Sequence, residues 1–203
     1  MLAECAEVEG KLMSRDLQLN AADLPPLTAL IYDDGPAFAR LSRRLAGLLI
    51  AAGVRTAGFV QHDEERPGRS RCDMVLENLQ TGVRIPISED RGAEARGCRL
   101  DPNALVAAVE DVRAGLTPDV EVLVLSKFGK SEAEGSGYRP LIAQALELGL
   151  PIIVGVPRRN IENWRHFAED LAREIPVEVL ASATDAGLLQ TLGIARQSVE
   201  GHI

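Results

Sequence analysis

Residues 120–140, VEVLVLSKFGKSEAEGSGYRP, decide the fold. From Val120 to Leu125 the residues are almost all β-branched or leucine, the way a strand reads when both faces of its sheet are covered. The run gives way to a glycine-bearing loop, and Arg139-Pro140 then opens a helix that Gly149 ends. A buried strand, a strand-end loop and a helix make one βα unit. Upstream, Leu27–Tyr32 is a second buried strand, Asp33-Asp34-Gly35-Pro36 a turn, and Phe38, Leu41, Leu45, Leu48 and Leu49 recur at helical spacing up to Gly53. Downstream, Pro151–Val156 reads as a strand and Ile161–Glu174 as an amphipathic helix. Val177–Leu180 reads as a last strand, and residues 184–192 as a terminal helix.

Between the first and central units, Val54–Gln61 reads as a strand and His62–Arg71 as a polar loop. Met74–Leu79 and Val83–Ile87 form two strands about a Gln80-Thr81-Gly82 turn. Residues 88–100 have no period. Asp101-Pro102 then starts a helix running to about Arg113, with Asp101 as N-cap and proline at the first position. The expected architecture is α/β: a doubly wound, mostly parallel sheet with a β-hairpin insertion and right-handed crossovers. Residues 1–26 form an N-terminal arm ending at Pro25-Pro26, residues 27–192 one domain, and residues 193–203 a tail.

Composition excludes several classes of function. In 203 residues, 22 Lys and Arg face 30 Asp and Glu, a formal net charge of −8, which argues against a general nucleic-acid binder. Aromatics at 3% supply no base-stacking surface. No apolar run approaches the roughly 18 residues of a membrane span. Cys5, Cys72 and Cys98 form no CxxC pair and leave an odd count, so a reduced, cytoplasmic setting is expected rather than a disulfide framework. The first residues lack the basic and apolar regions of a secretory signal.

Ligands of open α/β sheets bind beyond the carboxyl ends of the strands. Two loops are assigned to that place. The first, YDDGPAFAR, puts Asp33 and Asp34 at a helix entrance, where they cap the helix or hold a cation or hydroxyl. It lacks the glycines and the lysine with which GxxxxGK[ST] surrounds phosphate. The second carries Ser126, Lys127 and Lys130, with Gly135 and Gly137 permitting close backbone approach and Arg139 at the next helix start. Two ammonium groups, a guanidinium and a helix terminus suit an anion. Glu132 in this loop either braces the lysines or acts as a base toward bound water. Cys98 and Arg99 precede the helix that starts at Asp101, where a thiol's pKa can fall. The three histidines have no metal-ligand spacing, and no metal site is expected.

Two segments, GCRLD (Gly97–Asp101) and FGKSEAEGSGYR (Phe128–Arg139), resemble motifs of an uncharacterised bacterial domain family of unknown function. GVRTAGFVQ (Gly53–Gln61), CDMVLENL (Cys72–Leu79) and PIIVGVPRRNIENWRHFA (Pro151–Ala168) also match, so the resemblance covers about residues 27–192. Members often stand beside molybdate-transport genes, which implies a link to molybdenum metabolism, and molybdate or a nucleotide is the ligand to expect. That family is similar to small P-loop nucleoside triphosphatases, whose DEIGKME-type segment resembles Ser126–Glu132 (SKFGKSE). The Walker A lysine has no counterpart after Asp34, and Ser126-Lys127 replaces the Walker B Asp-Glu pair.

The first functional reading is therefore a P-loop-like binding protein that holds a compact oxyanion or phosphorylated ligand. The second is a divergent nucleoside triphosphatase or nucleotide-dependent transferase in which Glu132 orients water. The third is an oligomeric interaction protein that self-associates through the N-terminal arm. The expected partner is a small anionic ligand, with no nucleic acid and no membrane.

Overall fold

Every residue of β1 (Leu27–Tyr32) is buried. Its alternate side chains leave on two faces: Leu27, Ala29 and Ile31 join one apolar cluster, Leu30 and Tyr32 another. The protein is a computed structural model that describes residues 25–64, 72–89 and 100–194. Further strands are β2 (Thr56–Glu64), β3 (Asp73–Asn78), β4 (Arg84–Pro86), β5 (Val122–Leu125), β6 (Ile152–Pro157) and β7 (Ala172–Pro176). They form one sheet in the order β4-β3-β2-β5-β6-β1-β7. β2, β5, β6, β1 and β7 run parallel, while β3 and β4 add an antiparallel hairpin beside β2. The α/β, mostly parallel architecture expected from the sequence is the one observed.

The topology explains why both faces are covered. The chain leaves β1 toward β2, three places across the sheet, whereas β2 to β5, β5 to β6 and β6 to β7 all run the other way. Right-handed crossovers in opposite directions put their helices on opposite faces. Helix α1 (Gly35–Ala51) therefore covers one face through Phe38, Leu41, Leu45 and Leu49. Helices α2 (Pro102–Ala114), α4 (Arg139–Glu147) and α5 (Ile161–Ala168) cover the other, and the four-residue α3 (Lys130–Ala133) lies in the loop before α4. After β7, α6 (Val177–Ala181) and α7 (Asp185–Thr191) return to the α1 face. Asp101 caps α2 as expected, its Oδ1 accepting from the N–H groups of Asn103 at 2.9 Å and Ala104 at 3.1 Å.

Two segments differ from the sequence reading. His62–Glu64 belong to β2 and not to a loop, because pairing with β3 carries the ladder to Glu64 opposite Asp73. The last strand is Ala172–Pro176, and Val177–Leu180 is helical. Helix α5 stops at Ala168 because Glu169 takes a φ of 46°, outside the helical region. The VEVL run fits a helix pairing Val177 with Leu180 as well as a strand pairing Val177 with Val179. Val177 and Leu180 are buried while Val179 is exposed, as the helix requires.

Candidate functional site

The parallel strands bring the carboxyl ends of β1, β2, β5 and β6 to one edge. Only Asp33 and Asp34 separate β1 from α1. The Asp34 carboxylate accepts from the Ala37 N–H at 3.1 Å, closing the helix N-terminus with the chain's own charge. Asp33 Oδ2 accepts from Arg158 Nε at 2.7 Å, tying this turn to the end of β6. A two-residue turn whose free amides face a carboxylate does not encircle a phosphate group.

One turn into α1, the Phe38 ring stacks on Tyr32 with centroids 4.2 Å apart and planes 4° from parallel. It lies directly on β6 at Gly155, where a Cβ would sit 2.2 Å from Phe38 Cζ. Gly155 therefore admits an aromatic wall at this edge. The Tyr32 phenol is pushed up to about 12, chiefly by burial, with the Arg159 charge opposing and the Asp63 charge adding. It remains a protonated donor through the neutral range.

After β5 the chain is held tightly. The Phe128 N–H donates to the Gly155 carbonyl at 2.7 Å, and Asn160 Nδ2 donates to the Phe128 carbonyl at 3.1 Å. The buried Ser126 Oγ lies 3.0 Å from the Tyr138 hydroxyl. Glu132 is 3% exposed and turns into the loop: Oε2 accepts from Gly129 N–H at 2.7 Å, and Oε1 from Tyr138 N–H at 3.0 Å. Arg139 Nε donates to the Glu132 carbonyl at 2.6 Å. Burial raises the Tyr138 pKa far above the ordinary phenol value, against the Ser126 hydrogen bond and with help from the Glu132 charge.

These elements enclose a crevice of about 170 Å³ whose walls include Tyr32, Phe38, Asp63, Ser126, Lys127 and Arg159. Asp33, Ser126 and Lys127, singled out in the sequence, come together there. Asp34 is engaged in its cap. Lys130 projects into solvent, with a side chain 85% exposed and its ammonium 3.5 Å from Glu134. The Arg139 guanidinium lies 4.7 Å over the Phe167 ring. Gly135 and Gly137, both at positive φ, shape the turn between α3 and α4 and are not among the crevice walls. Cys98 and Arg99 lie outside the described residues.

Sequence reading passed over Tyr32, Ser42, Asp63 and Arg159, all of which line the crevice. The signal for Arg159 was available: RRN directly follows β6, a third strand end on the same edge. A larger hollow of about 410 Å³ lies at the opposite edge, between Ile50, Val54, Arg55, Leu79 and Thr117. Its one lining cation, Arg55, donates to the Asp119 carbonyl and pairs with Glu121 at 3.5 Å. The smaller crevice holds the richer chemistry. Among the described residues, no group of three His, Cys, Asp or Glu side chains could hold a metal ion. None of their helices is long and apolar enough to cross a membrane.

Known proteins place this geometry in context. The crystal structure of THEP1 from the hyperthermophile Aquifex aeolicus superposes with a TM-score of 0.54 at 15% identity, covering 74% of this chain and 88% of that one. That likeness establishes a shared fold. The nucleoside-triphosphatase THEP1 of Thermofilum pendens is 28% identical over 127 residues, 60% of this chain and 68% of that protein. Molybdenum import ATP-binding protein ModC 2 of Bradyrhizobium diazoefficiens is 31% identical over 153 residues. The matched part is 74% of this chain but spans only 17% of ModC 2's length. The profile of one family matches residues 27–184, nearly all of the sheet and its covering helices, and by that match the chain belongs to the family described as "Protein of unknown function (DUF2478)".

Proposed function

We propose that this chain binds a compact oxyanion, free or as the phosphoryl end of a small ligand, in the crevice at the carboxyl ends of β1, β5 and β6. The observation that carries the reading is convergence: Lys127 from the end of β5 and Arg159 from the end of β6 line the same hollow. A point charge and a forked guanidinium together suit a tetrahedral anion. Ser126 and Tyr32 add hydroxyl groups. At about 170 Å³ the hollow falls below the roughly 300–1,000 Å³ of drug-sized ligand pockets, which favours a compact ligand over a whole nucleoside triphosphate.

Phosphoryl transfer relies on a cradled metal–phosphate group and a phosphate-loop lysine. The two-residue turn before α1 provides neither, so we assign binding to this site and not conventional triphosphate hydrolysis. Glu132 serves as a positioning residue whose buried carboxylate shapes the loop that presents Lys127. Lys130 and Arg139 are not among the crevice walls and have no part in this reading. Similarity to a protein named for molybdenum import puts molybdate among the ions to test. The name of the Thermofilum pendens relative, a nucleoside-triphosphatase, supports nucleotide binding as the second reading.

Calorimetric titration of the full chain with molybdate, sulfate, phosphate, AMP and ATP, with and without Mg²⁺, tests both. Binding by the wild type that Lys127→Ala and Arg159→Ala each weaken at least about tenfold, the loss of one charge-assisted hydrogen bond, is the expected result. Equal binding by all three proteins would refute the site. Sustained, Mg²⁺-dependent release of phosphate from ATP would favour the second reading.

A further inference from the structure

We infer that the crevice selects oxyanions that carry a hydroxyl proton, the hydrogen-phosphate class, over aprotic oxyanions of similar size such as sulfate and molybdate. The inference rests on the oxyanion reading and narrows it. Its basis is that the crevice is not uniformly cationic. Asp63, at the end of β2, lines it together with Lys127 and Arg159, and its Oδ1 accepts from the Gln61 amide at 2.8 Å. Asp33 lines the same hollow, with its Oδ2 engaged by Arg158 at 2.7 Å. The Tyr32 phenol, another wall of the hollow, feels both charges, Arg159 lowering its pKa and Asp63 raising it.

An ionised carboxylate only accepts hydrogen bonds. An oxyanion seated on Lys127 and Arg159 presents its remaining oxygens to the carboxylate side of so small a hollow. An oxygen bearing a proton donates to Asp63 and gains a charge-assisted hydrogen bond. A bare oxygen meets like charge instead and is repelled. Inorganic phosphate keeps a hydroxyl proton at neutral pH, whereas sulfate and molybdate do not. The cations supply affinity for any small anion, and Asp63 supplies the discrimination.

The test is calorimetry at neutral pH on the full chain with inorganic phosphate, sulfate and molybdate, for the wild type and Asp63→Asn. Asparagine keeps a carbonyl oxygen for the Gln61 amide and removes the charge, so the variant should melt with the wild type. The wild type should prefer phosphate by about ten- to a hundredfold, the range of a charge-assisted hydrogen bond. Asp63→Asn should lose most of that preference, mainly by gaining affinity for sulfate and molybdate. Wild-type binding of sulfate or molybdate as tight as that of phosphate would overturn the selection and leave the oxyanion site standing, as would an unchanged ratio in Asp63→Asn. Failure of the wild type to bind any of the three ions would overturn the site itself, and this inference with it.

Discussion

Glu132 and Gly137 work as a pair. The carboxylate serves two backbone amides inside the loop only because residue 137 has no side chain: a Cβ there would sit 2.0 Å from Oε1, and φ is already 62°. Gly137→Ala should therefore destabilise the fold by about 1–3 kcal/mol in urea titrations, the cost of a strained left-handed residue plus a displaced partner. Glu132→Gln offers one acceptor where two amides need one each, and should cost about 1–3 kcal/mol. Because both changes strike one contact, the double variant should lose less than the sum. Sequence spacing drew attention to this acid and these glycines. It did not show that the carboxylate turns inward, since that depends on Tyr138 and Gly129 being brought to it by the closed loop.

Among the elements, the turns into helices were the most legible. Asp101-Pro102 announced its cap, and Asp101→Ala should cost about 0.5–2 kcal/mol of stability, read as a lower urea midpoint. The β1–α1 turn was legible as a departure from a phosphate loop because it lacks lysine. The inward course of Phe38 was not, since it depends on Gly155 from a strand more than a hundred residues away. Gly155→Ala must displace both that ring and the Ser126 carbonyl, 2.8 Å from the added Cβ. The expected penalty is about 1–3 kcal/mol, as for an overpacked core, with weakened anion binding in the same preparation. Helix α5, read six residues too long, shows the opposite case: IENWRHFAEDLARE keeps a helical period past Ala168, and only tertiary pairing of Ala172–Pro176 with β1 turns its end into a strand.

At the scale of the molecule, strand and helix alternation and buried runs without polar breaks were enough to give the two-faced sheet. The crevice was less visible, because its walls come from four strand ends scattered over the sequence. Both tyrosines of the chain stand at this edge with raised pKa values, Tyr32 about 12 and Tyr138 higher still, each chiefly through burial. The folded state thus favours neutral phenols. Their contribution to stability is complete below the ordinary pKa of about 10 and is lost as pH rises through the raised values. Alkaline titration should show tyrosinate absorbance lagging that of the urea-unfolded chain near pH 10, then rising together with loss of helical circular dichroism. The indole of Trp164, the chain's sole tryptophan, is wholly buried and stands edge-on to Phe128 at 5.2 Å, one residue from Lys127. Nature has thereby built in a fluorophore: emission from a single, water-shielded ring registers any shift of the neighbouring lysine-bearing segment, so occupancy of the crevice can be followed by light without attaching a dye.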